Sequence, residues 1–87
     1  MSQPKSALVL HLTSGSEPLL IAIDDDETDK IAASIPDLIR RGQFETITAA
    51  NGTAVTVNFS HVIVGLVDHI QGLGQPVYGM PERTYGG

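Results

Sequence analysis

Three histidines, His11, His61 and His69, are the side chains best suited to chemistry near neutral pH. Three imidazoles could hold zinc or copper. A locally preformed pair, however, needs a spacing of two along a strand or four along a helix, and no two of these residues have it. The acidic run Asp24-Asp25-Asp26-Glu27-Thr28-Asp29 invites a calcium loop. Such a loop starting at Asp24 would need Gly at its sixth position and a bidentate Glu at its twelfth, where the chain has Asp29 and Ile35. The run therefore reads as a solvated helix start, where acids complement the positive end of the helix dipole.

Nucleophiles are equally unsupported. The chain has no Cys, which removes thiol catalysis and zinc–thiolate sites. No Ser stands in G-x-S-x-G, and Gly72-Leu73-Gly74 does not continue into a dinucleotide fingerprint. Asp68 lies beside His69 without a third partner for a triad. The expectation is a protein with no catalytic residue, no cofactor and no metal, hence not an enzyme.

The elements that would position any site follow from size and pattern. At 87 residues the chain suits one domain. A domain of this size buries about 60–65% of its unfolded surface, so self-association is the expected way to gain stability without disulfides. Hydrophobic residues make up 41%, with two Phe, two Tyr and no Trp, so the core must be aliphatic. The formal charge is −5, and only Lys5, Lys30, Arg40, Arg41 and Arg83 oppose it. Such a field disfavours nucleic acid as a partner. The apolar run after Ser6 is interrupted by His11, too early for a signal peptide or a membrane span. A cytoplasmic location without membrane contact is the expectation.

Residues 1–6 read as a flexible lead, 7–70 as the domain, and 71–87 as a Gly- and Pro-rich tail. Alternation predicts strands over Ala7–Thr13 and Leu19–Ile23, joined by the turn Ser14–Pro18. Ile31, Ile35, Leu38 and Ile39 then recur at helical spacing, with Arg40, Arg41 and Gly42 as a stop signal. Pro36 interrupts this stripe and predicts a break, with Ser34 capping a second short turn. Asn51-Gly52 predicts a two-residue hairpin loop in which Ala50 pairs with Thr53 and Phe44 faces Phe59. A bend at Asn58–Ser60 leads to a last strand over His61–Val67, the alternative being a helix through Ile70.

This order of hairpin, helix, hairpin and strand, ending in Gly86-Gly87, resembles the β-grasp layout of ubiquitin-like proteins and small sulfur carriers. The resemblance implies a terminal glycine that is adenylated and passed on as a thioester or thiocarboxylate. Residues 44–67, with the step Asn58-Phe59-Ser60-His61-Val62, are also similar to segments of small flagellar-type proteins and LytTR-type DNA-binding domains. The latter likeness implies basic residues around the step, and this hairpin carries no Lys or Arg.

These observations together predict a single α+β domain with ββαβββ order, β-grasp-like in layout. A largely antiparallel sheet of four or five strands would pack on one kinked helix or helix pair. Its expected role is that of a non-enzymatic binding or assembly module, a homo-oligomer with protein partners. The expected contact residues are His61 and Ile63 on the last strand, with Val77, Tyr78, Met80, Tyr85, Gly86 and Gly87 in the tail. The alternatives are a carrier activated at Gly86-Gly87 and a small transcription-related DNA-binding domain.

Overall fold

The structure is a computed structural model that describes residues 6–70 and 77–79. Strand β1 (Ser6–Leu12) pairs antiparallel with β2 (Leu19–Ile23), closing the expected first hairpin. Its turn passes through Gly15, whose φ of 75° lies in the left-handed region. Leu8, Leu10, Ile21 and Ile23 supply one buried face of this hairpin. Ala7, Val9, Leu20 and Ala22, which alternate with them, are buried as well. Burial on both faces explains the near-continuous apolar runs of β1 and β2.

The acids after β2 form a short 3-10 turn, Asp25–Glu27, leading into helix α1 (Thr28–Arg41). Neither Asp24 nor Glu27 caps its turn through its side chain. Asp24 and Glu27 therefore favour the helix start by charge and not by capping, and Glu27 also pairs with Lys30 at 3.7 Å. Ile35 and Leu38 are buried, with Ile31 and Ile39 packed beside them. Gly42 ends the helix with φ 59°, donating its N–H to the Leu38 carbonyl at 3.2 Å.

The expected break at Pro36 does not occur, and one helix of 14 residues runs through it. Pro36 is exposed, and burial of its neighbours Ile35 and Leu38 holds the helix despite the missing hydrogen bond. Ser34 does not cap a second turn; its hydroxyl donates to the Ile31 carbonyl at 2.8 Å.

Strands β3 (Phe44–Thr48) and β4 (Ala54–Asn58) form the second hairpin, but one residue out of the expected register. Phe44 faces Asn58, not Phe59, and Thr48 faces Ala54. The cause is the turn. Ala49 N–H donates to the Thr53 carbonyl, Gly52 N–H donates to the Ala49 carbonyl, and Gly52 has φ 90°. The loop thus holds three residues, with glycine supplying the left-handed step that a bulged turn requires. The shift leaves Phe44 70% exposed and releases Phe59 from the ladder into the core, where it is 1% exposed.

Phe59 opens a second 3-10 turn, Phe59–His61, capped by the Asn58 side chain, which accepts from Ser60 N–H at 3.1 Å. Strand β5 (Val62–His69) follows, beginning one residue later and ending two residues later than expected. It pairs antiparallel with β1, giving a three-stranded sheet ordered β2-β1-β5, while β3-β4 forms a separate two-stranded sheet. The expected single sheet is thus two sheets enclosing one core. Ile47 and Val57 from the second, with Ala49 and Phe59 just beyond its strands, meet Leu8, Leu10 and Ile21 from the first. Helix α1 packs chiefly on β5.

The described tail residues are not free of structure. Tyr78 forms a parallel bridge with Ile21 at the outer edge of β2. Its N–H donates to the Leu20 carbonyl and its carbonyl accepts from Ala22 N–H, both at 2.8 Å. Gly79 accepts from Asn51 N–H at 3.1 Å, and Ala50 N–H reaches the Ala22 carbonyl at 2.8 Å. One short segment thereby ties the β2 edge to the Asn51-Gly52 turn.

Candidate interaction surface along strand β5

The three-stranded sheet has two outer edges, and they differ. Tyr78 occupies main-chain groups on the β2 edge. Among the described residues no strand pairs with the outer edge of β5. Unpaired N–H and C=O groups on such an edge can accept another strand. Proteins usually protect edges with Lys or Pro, and Val62–His69 contains neither. Its sequence is apolar up to Asp68, because β-branched residues suit the strand and because half of them were needed for the core.

The register with β1 sets which residues face inward. Leu8 lies opposite Val67, Leu10 opposite Gly65, and Leu12 opposite Val62, so Val67, Gly65 and Val62 share the core side. The ladder slips between His11 and Leu12, leaving Ile63 as the extra residue of a bulge. Ile63 is 59% and Val64 46% exposed. Asp68 and His69 at the strand's end are exposed too, and His69 N–H donates to the Asp68 carboxylate at 2.8 Å. Gly65 is needed for contact with the helix, since a Cβ there would lie 2.8 Å from Ile35 Cγ2.

His61 belongs to the turn before β5, not to the strand. It is exposed at the rim of a cleft of about 340 Å³ floored by Leu12, Leu19 and Val57. A second cleft, of about 330 Å³, lies between the acidic helix start and β3, lined by Asp24, Glu27, Ile31 and Ile47. Among the described residues no three His, Asp or Glu side chains gather as a metal site. No described helix is long and apolar enough to cross a membrane.

The expected contact residues do not form one surface. His61 and Ile63 flank the start of β5, whereas Val77 and Tyr78 lie at the opposite edge of the sheet, beyond β1 and β2. Val77 is half-buried, and Tyr78 uses its main chain for β2 while the residue stays 61% exposed. Met80, Tyr85, Gly86 and Gly87 lie outside the described residues. In the sequence Asp68 stands out only beside His69, as an incomplete triad, and Val64 only as one residue of the expected strand His61–Val67. The uncharged β-branched run 62–67 was the available signal, but its exposed members emerge only once the bulge is known. No known protein family, no curated protein and no solved structure matches this chain.

Proposed function

We propose that this protein is a non-enzymatic binding and assembly module that presents β5 for main-chain pairing with another strand. One observation carries the reading: the β5 edge is unpaired among the described residues and exposes Ile63 and Val64, while the opposite edge is occupied by Tyr78. Main-chain hydrogen bonds would give affinity, and the apolar side chains would give register. Protein partners and a cytoplasmic location belong to the same reading, and the charge of −5 weighs against nucleic acid.

Affinity capture from the native host, with wild-type and Val64→Lys proteins side by side, tests the surface. The Lys side chain sits at an exposed position and places an unmatched charge on the edge. Captured chains, including further copies of the bait, should be lost with the variant. Equal recovery by both proteins would remove β5 as the binding edge. Intact mass of the captured protein separates the carrier alternative, because a terminal adenylate, thiocarboxylate or conjugate would add mass at Gly87.

A further inference from the structure

We infer that the strand received by β5 is β5 of a second copy, paired antiparallel about a two-fold axis at Gly65. This deepens the proposed function and rests on it. The spacing already realised against β1 fixes what such a pair would match. Along β5, Gly65 pairs with Leu10, Val64 with His11 and Val62 with Leu12, Ile63 being the bulge, and the Thr13 N–H donates to the His61 carbonyl. Repeating this spacing on the outer edge with Gly65 opposite Gly65 sets Leu66 against Val64 of the second copy. It then sets Val67 against Val62, and Asp68 against His61. Apolar residues meet apolar ones, and the strand's one acid falls opposite the turn residue His61 at each end of the ladder.

Neighbouring registers are worse. Centring on Leu66 places Asp68 against Val64, and centring on Val64 leaves the end of the strand without a partner.

Helix α1 supports the same axis. Ile35 and Ile39 lie over Gly65, so the helix crosses the inner face of β5. Arg41, on one flank of the helix, reaches Glu45 in β3 at 3.6 Å. Helical spacing puts Asp29, Ala32, Pro36 and Arg40 on the other flank, turned away from β3 toward the open edge, and all four are exposed. A two-fold axis makes the two helices antiparallel, which sets Ala32 against Pro36 and Asp29 against Arg40 of the second copy. The small central residues allow the axes to approach to roughly 8–10 Å. Sheet and helix are thus each self-complementary, as an isologous interface requires.

Sedimentation velocity on the full chain, up to about 200 μM, tests this, since weaker association would lie beyond a specific interface. A species of twice the 9.2 kDa chain mass is expected. Val64→Lys should give a monomer whose far-UV circular dichroism is unchanged. Asp68→Lys, which sets Lys against His61 at both ends, should weaken association about tenfold, and His61→Asp combined with Asp68→Lys should recover it. Wild-type protein that stays monomeric while Val64→Lys abolishes capture of other proteins would overturn this inference and leave the proposed function standing. A dimer indifferent to Val64→Lys would overturn this inference, and equal capture of other chains by both proteins would overturn the proposed function with it. A dimer broken by Val64→Lys but unaffected by the charge exchange would overturn the Gly65-centred register.

Discussion

Truncating the two phenylalanines separately tests the register of the second hairpin. If they faced one another across the ladder, Phe44→Ala and Phe59→Ala would remove the same contact and cost similar amounts. In the structure Phe59 is 1% exposed, enclosed by core residues of both sheets, whereas Phe44 is 70% exposed at the start of β3. Deleting a buried Phe costs about 3–5 kcal/mol, transfer and cavity combined. Removing an exposed one costs roughly 0.5 kcal/mol or less. A chain of 87 residues has a total stability of roughly 4–13 kcal/mol, so Phe59→Ala removes a large share of it. Urea unfolding followed by far-UV circular dichroism suits a protein without Trp. With m near about 1 kcal/mol/M, the midpoint should fall by roughly 3 M or more for Phe59→Ala and by about 0.5 M or less for Phe44→Ala. Protein concentration must be held fixed, because any self-association adds to the apparent stability. Similar losses for the two variants would refute the one-residue shift and the core placement of Phe59.

Two further perturbations probe the tail contact and the helix. Gly79 has φ 78°, and a Cβ there would overlap the Ala49 side chain, so Gly79→Ala should detach the segment from β2. Hydrogen exchange should then speed up at the Ala22, Asn51 and Tyr78 amides; unchanged protection would mean the contact contributes nothing in solution. Pro36→Ala restores an N–H to an exposed helix position and should raise stability by about 1–3 kcal/mol. A lower thermal midpoint for this variant would show that the ring packs against something the helix needs.

Several features were legible because they depend on neighbours in sequence. The Leu19–Ile23 strand, the glycine stop at Gly42 and the turn at Asn51-Gly52 each follow from local conformational preference. Pro36 is the opposite case. Its local cost is real, but burial of Ile35 and Leu38 in the core, where α1 packs on β5 and the Phe59–His61 turn, exceeds it, and that burial is not a local quantity. The Asn51-Gly52 turn was located correctly and its length was not. Two- and three-residue loops both accept a left-handed glycine, and the choice falls to whichever register buries Phe59 and Val57.

The sequence by itself determined the class of fold, the order of its elements and the lack of a recognisable catalytic motif, since alternation, helical spacing and residue chemistry are read along the chain. Tertiary structure decided how the strands divide into two sheets and which edge the described tail residues cover. It also decided that the bulge at Ile63 turns part of an apolar strand outward. Those outcomes depend on pairings between residues far apart in sequence, where a one-residue slip exchanges the buried face for the exposed one. The strand that carries the candidate surface, and Ile63 on it, were legible in the sequence; the bulge that exposes Ile63 and Val64 side by side depends on the pairing of β5 with β1.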